Sequence, residues 1–186
     1  MKKVAIIVLI LTATAGVVSA QDTFSVGIGV EANGYSSNEL FGIAPVLAFD
    51  YRFNEMWAVG ARALYALDIG AKSIGDTTAL ELNITGRWYF LRWKSLVDYY
   101  FMWQNRLHFF IQADVGLSIT NYAATPNISG TAPNLGGELG IRIMFDKIYV
   151  EPYGRFSVQL AEKYMGQTWG AGVLVGYTFH SGRGGY

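Results

Sequence analysis

From Leu107 to Thr120 the chain alternates, with Leu107, Phe109, Ile111, Ala113, Val115, Leu117 and Ile119 at the odd positions and His108, Phe110, Gln112, Asp114, Gly116, Ser118 and Thr120 at the even ones. Successive side chains of a strand point to opposite faces, so a period of two predicts a strand with one apolar and one polar face. Ordinary strands run to about 5 to 6 residues. A tilted strand crosses a bilayer with roughly 9 to 11, and this stretch exceeds that.

The rule recurs in seven further segments. Phe24, Val26, Ile28 and Val30 oppose Ser25, Gly27, Gly29 and Glu31; Ile43, Pro45, Leu47, Phe49, Tyr51 and Phe53 oppose Asp50 and Arg52. Trp57, Val59, Ala61, Ala63, Tyr65, Leu67 and Ile69 oppose Gly60, Arg62 and Asp68; Leu80, Leu82, Ile84, Trp88 and Phe90 oppose Glu81, Asn83, Arg87 and Tyr89. After the opening stretch, Leu135, Leu139, Ile141, Ile143 and Phe145 oppose Glu138, Arg142 and Asp146, while Ile148, Val150, Phe156 and Val158 oppose Glu151, Tyr153, Arg155 and Gln159. The last segment sets Trp169, Ala171, Val173, Val175, Tyr177 and Phe179 against Gly170, Gly172, Gly176 and Thr178. Eight alternating strands joined by turns predict an all-β, eight-stranded antiparallel up-and-down transmembrane barrel.

Which face is outside follows from the charges. A soluble ligand-binding barrel would also alternate, but its water-facing surface would carry lysines. Beyond residue 20 the lysines are Lys72, Lys94, Lys147 and Lys163, all in connections or at strand ends. The strand arginines Arg52, Arg62, Arg87, Arg142 and Arg155 instead share faces with Glu31, Asp50, Asp68, Glu81, Asp114, Glu138, Asp146 and Glu151, and no apolar face holds a charge. A basic side chain at the lipid-facing midplane costs about 2 to 4 kcal/mol. The apolar face is therefore assigned to lipid and the mixed-charge face to the lumen.

Residues 1–20 read as an export signal, with Lys2 and Lys3, the apolar run Val4 to Leu11, and Val18-Ser19-Ala20 before the expected cleavage. Residues 21–186 then form the barrel. The chain has no cysteine, which excludes disulfides and cysteine-linked lipid. Without Lys2 and Lys3, 12 basic residues face 14 acidic ones and no basic stripe exists, so nucleic acid is not an expected partner. No cofactor or metal is expected either.

Eight strands leave an interior just wide enough for side chains to fill it. The expected lumen network comprises Asp50, Arg52, Arg62, Glu81, Arg87, Asp114, Glu138, Arg142, Glu151 and Arg155. If Phe145 pairs with Ile148 across Asp146-Lys147, Arg142 lies opposite Glu151 and Glu138 opposite Arg155, two complementary cross-strand pairs. Paired acids such as Glu81 and Glu138 are also the candidates for catalysis, but acids beside arginines are more often structural.

The signal-like start, the eight alternating strands over residues 23–179, and the terminal GVLVGYTF ending Tyr177-Thr178-Phe179 resemble the small outer-membrane barrels of diderm bacteria. That group includes the membrane domain of outer-membrane protein A and the X-like and W-like barrels. The match is architectural, and the tail from His180 to Tyr186 departs from the usual aromatic end. The resemblance implies residence in the outer membrane, contact with its lipid, and recognition of the last strand by barrel-assembly machinery. It implies a non-enzymatic barrel that is structural or meets a host or environmental ligand at its outer loops. A narrow channel for small ions or apolar solutes is the alternative, its motive the glycines of the first and last strands.

With the N-terminus in the periplasm, Phe24, Phe53, Trp57, Trp88, Phe90, Phe109, Phe145 and Phe179 share the periplasmic rim on the lipid-facing parity, as an aromatic girdle does. Residues 36–42, 71–77, 122–134 and 162–168 become outer loops. Leu91 to Arg106 is either an extended hairpin or an interfacial amphipathic helix.

Overall fold

The computed structural model describes residues 23–35, 40–53, 56–68, 77–92, 107–122, 130–160 and 165–180. They form eight strands: β1 Thr23–Tyr35, β2 Leu40–Arg52, β3 Trp57–Asp68, β4 Thr77–Arg92, β5 Leu107–Tyr122, β6 Gly130–Phe145, β7 Ile148–Leu160 and β8 Met165–His180. Each pairs antiparallel with its sequence neighbour, and β1 pairs with β8 to close the barrel. Closure removes the exposed edges that an open sheet would present.

The period of two is realised as an inside and an outside. Ile28 is 67% exposed and Ile84 69%, while Glu31 and Glu151 are wholly buried. Among the described side chains every charged residue except Arg52, Asp146 and Lys147 is buried in the interior. An apolar exterior over a charged interior inverts the arrangement of a water-soluble barrel, and the soluble reading is set aside on that ground.

Two prolines interrupt the ladder without shifting it. The β2–β3 pairing runs from Ile43↔Leu67 to Val46↔Leu64 with Ala44 and Pro45 unpaired between, and the register is the same on either side. The β6–β7 pairing likewise breaks between Gly140↔Tyr153 and Ile143↔Val150, where Pro152 stands. Proline has no N–H to give the ladder, which accounts for both gaps.

Several strands outrun the sequence reading. The segment 122–134 was expected to be a loop, yet β6 begins at Gly130 and includes Pro133 and Asn134. Pro133 pairs with Leu117 on one side and lies beyond the last β6–β7 pair, Asn134↔Gln159, so a missing N–H is tolerated there. The expected loops 36–42 and 162–168 are shortened in the same way by β2 and β8. Asp146, expected to face the lumen, is exposed in the β6–β7 turn with a φ of 59°. Aspartate tolerates that left-handed conformation because its side chain hydrogen-bonds locally. β4 continues to Arg92, while residues 1–22 and 93–106, which hold the export signal and most of the hairpin-or-helix segment, lie outside the described residues.

Candidate functional site

The inward residues stack along the axis from the end bearing Thr23 and His180, here the terminal rim, to the opposite or far rim. Just inside the terminal rim, the Arg142 guanidinium donates to Glu151 through Nε at 2.5 Å and to Asp50 through Nη2 at 2.5 Å, and lies 4.1 Å from the Tyr149 ring centroid. Arg87 shares both acids: it donates to Glu151 at 2.8 and 2.9 Å and to Asp50 at 3.4 Å, with Nε on Gln112 at 2.8 Å. Its guanidinium also lies 4.0 Å from the centre of the Phe110 ring. Arg62 is bidentate on Glu138, which approaches Arg87 at 3.8 Å. Three guanidiniums thus meet three carboxylates, a balance that burial demands because an unpaired buried charge is strongly unfavourable.

Gln112 joins this set to the far one, donating to Asp114 at 2.7 Å and to Glu138 at 3.5 Å. In the far set Arg155 serves three acids: Glu81, Glu31 at 3.4 Å and Asp114 at 3.5 Å. Tyr153 donates to Glu31 at 2.9 Å. One guanidinium therefore stands against three carboxylates. Asn134 donates to Glu81 at 3.3 Å, and still farther out Gln159 donates to Ser118 at 3.0 Å.

Four inward glycines make room for rings. A Cβ on Gly27 or Gly176, which are register partners, would lie 2.4 Å from the Tyr149 hydroxyl, and one on Gly172 would lie 2.5 Å from that of Tyr153. Gly140 accommodates Phe110 in the same manner, at 2.5 Å. No Cβ could occupy these positions without displacing a ring. Of the β1 and β8 glycines that motivate a channel, Gly27, Gly172 and Gly176 are thus covered by the β7 rings of Tyr149 and Tyr153.

The members expected from the sequence fall as follows. Asp50, Arg62, Glu81, Arg87, Asp114, Glu138, Arg142, Glu151 and Arg155 are brought together in the interior, and Arg52 sits half-buried at the terminal mouth, 3.9 Å from the Tyr89 ring centroid and 3.4 Å from Nδ1 of His108. The β6–β7 hairpin has the register expected, with Phe145↔Ile148 and Glu138↔Arg155. Of the two cross-strand ion pairs expected from it, Arg142 with Glu151 forms, at 2.5 Å, and Glu138 with Arg155 does not. Glu138 reaches across the lumen to Arg62, and Arg155 turns to Glu81, Glu31 and Asp114. Glu31, which the charge pattern assigns to the lumen face, joins the network, as do Gln112, Tyr89, Tyr149 and Tyr153, for which shared inward parity is the available signal.

Outside, the terminal rim is ringed by aromatics. Phe24 is the register partner of Phe179 and packs 5.1 Å from both Phe49 and Tyr51. Trp57 and Trp88 stack at 6.1 Å, Trp88 meets Phe90 at 5.7 Å, and Phe90 meets Phe109 at 6.5 Å. Phe145 is exposed beside the β6–β7 turn, and Phe53 is half-buried just past the end of β2.

No protein-family model and no curated protein sequence matches the chain. Solved structures do. Neisserial surface protein A superposes with a TM-score of 0.64 at 11% identity, covering 85% of this chain and 97% of that one. The N-terminal β-barrel domain of Pseudomonas aeruginosa OprF gives a TM-score of 0.50 at 15% identity, covering 83% of this chain and 97% of that one. With its closed eight-stranded antiparallel sheet, the chain has the fold of the small eight-stranded outer-membrane barrels.

Proposed function

We propose that the chain is an integral outer-membrane barrel with a plugged lumen, exported by cleavage after Ala20, that serves a structural or surface-interaction role through its outer loops. The observation that carries this reading is the continuous ion-pair set Asp50, Arg142, Glu151, Arg87, Glu138 and Arg62 across the interior, packed among the Tyr149, Tyr153 and Phe110 rings. The apolar exterior supports contact with lipid, and the aromatic ring supports placing the terminal rim at the periplasmic interface. Its partners are outer-membrane lipid, the barrel-assembly machinery that reads the last strand, and a host or environmental ligand at the loops. A non-enzymatic role is favoured because Glu81 and Glu138, the acids best placed for catalysis in the sequence, are held by Arg155 and Arg62.

Single-channel recording of the refolded full chain in planar bilayers tests the plug. A silent bilayer, with a folded band that shifts on heating in gels, is the expected result. Stable unitary conductance would instead establish the narrow-channel reading.

A further inference from the structure

On the outside of the barrel an open trough of about 700 Å³ crosses the wall formed by β8, β1, β2, β3 and β4. Pro45 and Ala63 are the short outward side chains in its floor. The inward residues Val46 and Leu64 line it as well, and since their side chains are buried in the interior, the trough reaches down to the main chain. Its lining is apolar apart from the Tyr65 hydroxyl.

The strand register gives the trough a direction. Rows of partners climb around the barrel: the row that begins with His180, Thr23 and Arg52 at the terminal rim continues through Ala58 to Arg87, well inside the end of β4 at Arg92. The trough follows such rows, with Val173, Val30 and Pro45 in one and Val175, Ile28, Leu47 and Ala63 in the next. It therefore starts at mid-strand in β8 and rises to Leu80, close to the far end of β4 at Thr77. Across five strands, a spacing of about 4.8 Å makes it about 19 Å long. At an inclination of about 40° it climbs about 12 Å, against the roughly 15 Å of hydrocarbon in one leaflet.

We propose that the trough seats one acyl chain of a lipid from the leaflet at the far rim, entering beside Leu80 and Tyr65 and ending against Val173 and Val175. Inside a bilayer nothing is gained by hiding apolar surface, so fit decides what fills the trough. Left empty, it would forfeit the van der Waals contacts of its lining. A second barrel presents a convex wall, from which Ile28 and Ile84 stand out at 67% and 69% exposed, and cannot follow an oblique trough down to the main chain. A flexible hydrocarbon chain can. Tyr65, 45% exposed at the upper end, is the kind of side chain that meets the headgroup boundary with its hydroxyl and the acyl chain with its ring.

This seat rests on the lipid-facing exterior proposed above and adds a defined occupant to it. The test uses the refolded full-length protein in phosphatidylcholine vesicles doped with a phosphatidylcholine that carries a diazirine midway along one palmitoyl chain. After irradiation, lipid adducts are mapped by peptide mass spectrometry. Adducts at Leu47, Ala63 and Leu80 exceed those at Ile111, Val115 and Leu139 on the opposite wall by at least about threefold. Ala63→Phe fills the trough and removes that excess, whereas Val115→Phe leaves it unchanged. Equal labelling of the two walls, or an excess that survives in folded Ala63→Phe, overturns the seat and leaves the lipid-facing exterior standing; labelling of neither wall overturns both. A disulfide-linked dimer that forms in vesicles from Ala63→Cys and not from Val115→Cys assigns the trough to a second copy and likewise overturns the proposal. Should Ala63→Phe not fold, the adduct map of the unaltered protein decides alone.

Discussion

Replacing Arg87 by methionine removes the hub of the plug while keeping most of its stem. Arg87 is 1% exposed and bonds Glu151 twice, Asp50 once and Gln112 once. Each acid keeps a second partner, since Arg142 still holds Glu151 and Asp50 and Arg62 still holds Glu138. The set nevertheless changes from three against three to two guanidiniums against three carboxylates, stranding one buried negative charge. Breaking a buried pair in this way costs about 3 to 5 kcal/mol. Glu151→Gln strands the opposite charge, with a loss of similar size. The double variant restores neutrality, so its loss falls short of the sum, by a coupling of about 2 to 3 kcal/mol for residues in direct contact. Urea unfolding from lipid vesicles, followed by tryptophan fluorescence across the four-member cycle, reads this coupling. Additive losses within about 0.5 kcal/mol, the behaviour of independent sites, would refute the claim that charge balance holds the plug together.

Further expectations follow from the other features of the barrel. Gly176→Ala drives a Cβ into the Tyr149 ring and destabilises by about 1 to 3 kcal/mol in the same urea assay, whereas Gly154→Ala, with nothing within 4 Å of its Cβ, stays within about 0.5 kcal/mol; adding Tyr149→Leu to Gly176→Ala recovers part of the loss. Ile84→Arg, on the lipid-facing side of β4, lowers stability in vesicles by about 2 to 4 kcal/mol, and a smaller effect at Ile84 than at the rim residue Trp57 contradicts the placement of the bilayer. Asp146→Gly at the positive-φ turn leaves the unfolding midpoint unchanged or slightly raised, and Asp146→Val lowers it by about 1 to 2 kcal/mol through backbone strain.

How far the chain declared itself in advance differs between the wall and its contents. Alternation at Leu107, Phe109 and Ile111 against His108, Phe110 and Gln112 suffices to make β5 a strand and to divide its faces, because a strand has only two sides. The Asp146-Lys147 turn sets the β6–β7 register, because a tight hairpin leaves little choice. Strand ends were less legible. Pro133 and Asn134 look like loop residues until β5 on one flank holds them in the sheet.

The chain by itself determined the strands, their two faces and the confinement of charge to one of them, all properties of neighbours a few residues apart. Tertiary closure decided who meets whom inside. Arg62 and Glu138 are 76 positions apart, and Arg155 and Glu31 are 124 apart. No local pattern relates such residues, since their meeting depends on how far each strand is staggered around the cylinder. The same closure set Tyr149 over Gly27 and Gly176, and it gathered three acids around Arg155, converting a list of inward-facing residues into one connected set of contacts.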